Sequence, residues 1–332
     1  MKELIRTLTE TFSPSGFEHD IRNLIKGIIE PLVDDLREDA MGNLIARKGE
    51  KGKNGKRIML AGHMDEIGLM ASHIDENGFI RFTGLGGLYS QTLFGGRVKF
   101  INGIQGMIGG EPFTDGSQSL GINQLFIDVG AKNEKECPIK VGDVAAFERP
   151  FVDLGDRVMA KAMDDRVGCA VMIEALKQMK NSPHEMHFVF TTQEEVGLRG
   201  AGTSAFGIDP EIGISLDVTR TGDTPKAKKM AVKLGDGPAI KIKDGGMIAD
   251  YRVVNWMVRV AEKNKIPYQR EILEGGTTDA KAIQITRSGV PAGCISIPCR
   301  YVHSPSEMVD IKDVENATRL LVSMLADPIV LK

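Results

Sequence analysis

Apolar positions recur at helical spacing in the first part of the chain. Leu4, Ile5 and Leu8 do so within residues 2–12, and Ile21, Leu24, Ile25 and Ile28 within residues 17–33. This three-to-four-residue step predicts two amphipathic helices. The turn-forming Ser13-Pro14-Ser15-Gly16 separates them. The pattern then tightens. Asn43-Leu44-Ile45-Ala46 predicts a short strand, and Ile58-Met59-Leu60-Ala61 a strand covered on both faces. The glycine- and lysine-rich stretch between them predicts an exposed turn.

From Ile74 to Glu148 the helical period fades. Asn77-Gly78 between His73-Ile74 and Phe79-Ile80-Arg81-Phe82 predicts a hairpin. Frequent glycines break the rest into short strand-like runs. After Asp165 the first texture returns. Val167, Val171, Ala175 and Met179 step by four along a helix. Phe188-Val189-Phe190, Ile212-Gly213-Ile214-Ser215-Leu216 and Ile295-Ser296-Ile297 predict strands, with helices around 250–264 and 310–326. Strands alternating with helices predict an α/β fold: a mixed, largely parallel sheet flanked by helices. Residues 1–67 and 163–332 would form that domain. Residues 68–162 would form a small inserted β-rich domain, PDZ-like or a β-barrel.

The chain has 332 residues, long enough for two such units, and a net charge of −3. That balance excludes bulk electrostatic binding of nucleic acid or anionic membrane. No apolar run reaches the length of a membrane helix, and the N-terminal Met1-Lys2-Glu3-Leu4-Ile5-Arg6 lacks the core of a signal peptide. Cys137, Cys169, Cys294 and Cys299 form no C-x-x-C pair and are expected as buried thiols in a reducing cytoplasm.

The chemistry falls where strands end. Ile58-Met59-Leu60-Ala61 leads to His63 and Asp65, Phe188-Val189-Phe190 to Glu194 and Glu195, Ile214-Ser215-Leu216 to Asp217, and Ile295-Ser296-Ile297 to His303. Asp164-Asp165 lies where the inserted segment returns. In open α/β sheets ligands bind beyond the carboxyl ends of the strands, so these groups are expected to converge. Two histidines with several carboxylates and no cysteine suit zinc, cobalt or manganese in a catalytic site. Five or six ligands suggest two ions. Taken singly, each acid reads as a solvated charge or a helix cap. His19, His73, His184 and His187 read as structural. Glu194 and Glu195 are adjacent on an extended segment and point to opposite sides, so they do not flank one glycosidic bond.

Six segments together resemble the M42 family of metallo-aminopeptidases, the TET-type tetrahedral enzymes. They are Ala61-Gly62-His63-Met64-Asp65-Glu66-Ile67-Gly68, Lys161-Ala162-Met163-Asp164-Asp165-Arg166, Gln193-Glu194-Glu195-Val196-Gly197-Leu198-Arg199-Gly200-Ala201, Ser215-Leu216-Asp217-Val218-Thr219, Glu274-Gly275-Gly276-Thr277-Thr278-Asp279-Ala280 and Arg300-Tyr301-Val302-His303-Ser304-Pro305. The likeness runs nearly end to end, with the motifs in the family's order. The segment Gly110 to Asn123 matches least well.

The resemblance implies two divalent ions, zinc or cobalt first and manganese third. His63 and Asp217 would bind one ion and Glu195 and His303 the other, with Asp164 bridging. Glu194 would be the general base, and Asp65 would orient His63. A cis peptide between Asp164 and Asp165 is implied as well. The activity implied is release of N-terminal residues from short peptides; the family's first-residue preferences span neutral, acidic and basic side chains, and a neutral residue such as leucine is the expectation here. The assembly implied is a hollow homododecamer built from dimers, with the inserted domain used in assembly. Two other functions compete: a related di-metal carboxypeptidase or N-acyl amino-acid deacylase, and a non-catalytic peptide-binding scaffold.

Overall fold

The structure is a computed structural model and describes residues 1–113 and 120–332. Part of the weakly matching Gly110–Asn123 segment therefore lies outside the described residues. Among those described, eleven strands form one mixed sheet and six close a barrel.

Four parallel strands make the centre of the sheet, in the spatial order Glu185–Thr191, Arg57–His63, Ile212–Thr219 and Ala292–Arg300. Their alternation explains the two-sided core. Ile58 and Leu60 face one helical layer, with Phe188 and Phe190 beside them. Met59, Ala61 and Val189 face the other. Helices Met163–Gln178, Tyr251–Lys263 and Ile311–Ala326 cover the first face with the two N-terminal helices, Lys2–Glu10 and His19–Ile29. Arg199–Ile208 and Asp279–Gln284 cover the second. Burying both faces accounts for the unbroken apolar runs in the sequence. Antiparallel strands extend the sheet on either side of this centre.

The barrel is a separate packing unit. Its strands run from Gly68–Ile74 to Val144–Phe147, and Leu69, Val98, Ile108, Ile127 and Phe147 fill it. The predicted hairpin is there: Gly68–Ile74 pairs antiparallel with Ile80–Leu85 across the Asn77-Gly78 turn.

Where the chain crosses between the two units, a buried ion pair ties the crossings together. Lys161 Nζ donates to both oxygens of Glu66, at 2.8 and 2.7 Å. Glu66 Oε1 also accepts from the backbone of Ser13 at 2.9 Å. With partners on both sides, the two charges are held in a fully hydrogen-bonded network.

Several elements depart from the sequence expectations. The second helix stops at Ile29, because Pro31 turns the chain into a short 3₁₀ segment, Glu30–Leu32. The strands Asp35–Glu38, Arg157–Ala160, Ala239–Lys243, Gln269–Ile272 and Glu307–Asp310 carry mixed polar and apolar residues in short runs. Asp35–Glu38 pairs across a short connection with Leu44–Lys48, and the others pair with strands distant in sequence, which periodicity does not register. No helix among the described residues is long and apolar enough to cross a membrane.

Candidate metal centre

The carboxyl ends of the central strands supply the site. His63 is the last residue of Arg57–His63 and pairs in register with Thr191 of the neighbouring strand. Asp217 lies near the end of Ile212–Thr219. Glu194 and Glu195 follow the strand end Thr191 after two residues, and His303 comes three residues after Arg300, the last residue of its strand, at a left-handed φ of 64°. Asp164 and Asp165 open the helix Met163–Gln178 with non-helical backbone angles, and the peptide between them is cis.

These groups form two clusters sharing one carboxylate. Ligand atoms of His63, Asp164 and Asp217 lie within 4.8 Å of one another, and so do those of Asp164, Glu195 and His303. His63 Nε2 lies 2.9 Å from Asp164 Oδ1. His303 Nε2 lies 3.4 Å from both Asp164 Oδ2 and Glu195 Oε2. Glu194 belongs to neither cluster, and its Oε2 stands 4.0 Å from His63 Nε2. His19, His73, His184 and His187 also lie outside both clusters. His184, for example, accepts from the Lys56 backbone through Nδ1.

Asp65 organises this arrangement. It is fully buried, and its Oδ1 lies 3.4 Å from His63 Nδ1. The same carboxylate accepts the backbone N–H groups of Glu194 and Glu195, at 3.0 and 3.2 Å, and the Ser15 hydroxyl at 2.6 Å. One side chain thus fixes the turn that carries both glutamates, and His63 Nδ1 also faces the Asp65 backbone carbonyl at 3.2 Å.

Sequence reasoning passed over a second organiser, Glu307. Its Oε2 accepts from the Asp164 backbone at 2.9 Å and its Oε1 from the His303 backbone at 2.7 Å. It therefore tethers the shared carboxylate and one histidine together. A lone acid four residues past His303 carries no spacing signal, and only the strand Glu307–Asp310 turns it inward. Gly86 and Gly87 are among the glycines that break the strand-like runs, and their composition signals no chemistry. A Cβ on Gly86 would stand 2.9 Å from Glu195 Oε2, and one on Gly87 2.8 Å from His303 Nδ1. The barrel's edge thus rests directly on the site. Gly275 to Thr278 line a cavity of about 270 Å³ together with Asp164, Glu194, Glu195, Asp217 and His303.

The electrostatics are one-sided. Burial followed by the charge of Asp164 pushes the carboxyls of both Asp217 and Glu195 well above their usual range. Burial and then the charges of Asp217, Asp279 and Asp164 do the same to Glu194, against the opposing pull of His63. Asp279 is raised to about 6, chiefly by burial. Burial also disfavours ionisation of Asp164, but hydrogen bonds with His303 and His63 prevail and hold it low. Burial would depress His63, yet its hydrogen bonds with Asp164 and Asp65 raise it well above normal. Glu195 Oε1 is buried with no hydrogen-bond partner. Carboxylates crowded out of water, one with an orphaned oxygen, together with two imidazole nitrogens, fit divalent cations as the missing positive charge.

Comparison with known proteins places the chain among peptidases. Residues 42–320 match a family described as M42 glutamyl aminopeptidase. The lysyl aminopeptidase of Pyrococcus furiosus is 34% identical over 98% of this chain and 96% of that one. An aminopeptidase from the archaeon Desulfurococcus kamchatkensis has a TM-score of 0.94 at 42% identity, covering 98% of this chain and 94% of the other. The TET1 peptidase of Pyrococcus horikoshii, described as assembling into a tetrahedron or a large octahedral shell, has a TM-score of 0.86 at 32% identity, covering 98% and 99%.

The double tether from Glu307 has a measurable consequence. Glu307→Gln replaces one acceptor oxygen with an amide that faces a backbone N–H. Loss of such an outer partner weakens metal binding by roughly 10–100-fold. Competitive titration against a chelator should show that drop; unchanged affinity would mean that the tether does not set the ligand geometry.

Proposed function

The chain belongs to the M42 family of aminopeptidases, hydrolases acting on peptide bonds, and from that membership we propose that it removes N-terminal residues from short peptides with the help of two divalent cations. His63 and Asp217 would hold one cation, Glu195 and His303 the other, and Asp164 would serve both. The observation that carries this reading is the pair of ligand clusters joined through Asp164. Zinc and cobalt suit the donor set best, with manganese third. Bound there, the two cations supply Lewis acidity at the scissile carbonyl and lower the pKa of attacking water.

The remaining steps fall to the chain itself. Glu194 lies beside the clusters and belongs to neither, so its carboxylate is free to accept the proton of the attacking water. The water oxygen bonds to the carbonyl carbon, and the carbon–nitrogen bond then breaks. Glu194 delivers its proton to the departing amine nitrogen. Burial raises its proton affinity, and that cause persists when cations neutralise Asp164 and Asp217. Asp65 holds the Glu194 backbone, and with it the distance from base to substrate. The acid-rich cavity also suits the positive α-amine of a free N-terminus, which favours exopeptidase action over a carboxypeptidase or deacylase reading.

We extend homo-oligomeric assembly to this chain on the likeness to the TET1 peptidase, with a dodecamer built from dimers as the expected form. A cytoplasmic location accords with the four unpaired cysteines.

Two outcomes test these proposals. Glu194→Gln should retain the bound metal, by elemental analysis, and lose turnover of an aminoacyl-anilide by about 10²–10⁴-fold; near-normal turnover would remove Glu194 from the base role. Sedimentation of the metal-loaded protein should show a species far larger than a dimer, shifting toward dimers after chelation. A monomer under both conditions would contradict the assembly.

A further inference from the structure

The turn that carries Glu194 is held by a second carboxylate besides Asp65. The backbone N–H groups of Gln193, Glu194 and Glu195 all donate to carboxylates. Asp65 accepts the last two, at 3.0 and 3.2 Å. Glu18 Oε1 accepts the first, at 3.1 Å. Glu18 is buried and occupies the N-cap of the helix His19–Ile29, yet its side chain caps no N–H of that helix. It is spent on a turn at the other end of the sequence. Gln193 benefits from such a hold, because its φ of 55° is a left-handed conformation that a side chain disfavours. Arg199 also donates to the Gln193 carbonyl and side chain, at 3.2 and 3.1 Å, but Arg199 closes the same loop, so those bonds move with the turn. Glu18 ties it to a separate part of the chain.

The anchor is itself tied down. The Ser15 N–H donates to the Glu66 carbonyl at 3.2 Å, and the Glu66 N–H to the Ser13 carbonyl at 3.1 Å. The Ser15 hydroxyl donates to Asp65 Oδ2 at 2.6 Å, and the Gly16 N–H to Glu18 Oε1 at 2.7 Å. Gly16 has a φ of 87°, which suits glycine and lets the chain turn back on its own glutamate. The segment between the two N-terminal helices, a plain turn by composition, thus holds both carboxylates that hold the Glu194 turn.

We propose that Glu18 is a positioning residue for the reaction: through the Gln193 amide it fixes where the Glu194 carboxylate stands relative to the attacking water. This rests on the reading of Glu194 as the base. Glu18 belongs to neither ligand cluster, so its effect falls on the base and not on metal binding. The oxygen matters and the charge does not. The single atom Oε1 takes both N–H groups, and an amide oxygen in its place would take them as well.

The test compares Glu18→Ala, Glu18→Asp and Glu18→Gln in the metal-loaded protein, on an aminoacyl-anilide that the unaltered enzyme cleaves. Alanine removes the oxygen, aspartate withdraws it by one methylene, and glutamine keeps it. Glu18→Ala should lower kcat by about 10–100-fold, as for a base displaced by about an ångström, with KM and bound metal unchanged. Glu18→Asp should behave alike, and Glu18→Gln should recover most of the loss. If the alanine variant does not fold, the aspartate and glutamine variants decide the matter. Amide hydrogen exchange in the metal-free protein gives a readout without turnover: it should quicken over residues 193–195 in Glu18→Ala and Glu18→Asp but not in Glu18→Gln. Unchanged kcat in both Glu18→Ala and Glu18→Asp, an equal loss in Glu18→Gln, or a loss that tracks bound metal would overturn the inference. The Glu194→Gln background separates it from the base assignment. There Glu18→Ala should cost nothing further, because it acts through the residue already lost. A further loss as large as in the unaltered background would overturn the inference with the base reading intact. Near-normal turnover of Glu194→Gln itself would overturn that reading, and the inference with it.

Discussion

Buried negative charge in excess of buried positive charge is the constraint on which this structure turns. Asp65, Asp164, Asp165, Asp217, Asp279 and Glu307 are all buried around one cleft, with Glu194 and Glu195 at its edge. His63 and His303 are the imidazoles among them, and the nearby Lys241 is engaged by Glu271. Carboxylates taken out of water without partners either take up protons or gather cations. Here some have partners that leave them no role in binding: Asp65 and Glu307 spend their oxygens on backbone N–H groups. Asp164, Glu195 and Asp217 point into the cleft with no such commitment of both oxygens. Hydrogen bonding thus sets these two organisers apart from the candidate ligands.

The rest of the fold serves to hold that charge in place. Parallel pairing brings the ends of the central strands together at one edge of the sheet, so ligands distant in sequence converge without long loops. The buried pair of Lys161 and Glu66 locks the barrel to the sheet at both crossings. The barrel in turn sets Gly86 and Gly87 against Glu195 and His303, and Tyr89 against Arg220. Two packing units with separate cores therefore contribute to one cleft, and a shift of the barrel would be felt by the ligands.

The sequence made some of this legible and concealed the rest, for physical reasons. Strands buried on both faces advertise themselves as apolar runs, and each was followed by a residue able to bind metal, so His63, Asp217, Glu194, Glu195 and His303 could be named in advance. The shared position of Asp164 came from motif resemblance, not from spacing. Glu307 left no trace, because its importance lies in two backbone contacts made across the fold. Short mixed strands such as Ala239–Lys243 and Gln269–Ile272 were hidden for the same reason. Local pattern reports what a segment buries. It is silent on what distant segments enclose between them.

The most direct test of the central claim is crystallographic. Crystals of the protein soaked in cobalt and measured at the cobalt absorption edge should give two anomalous peaks in the cleft. One should be ligated by His63 and Asp217, the other by Glu195 and His303, with Asp164 reaching both. A cleft without anomalous density, or a single ion that leaves either histidine unused, would contradict it.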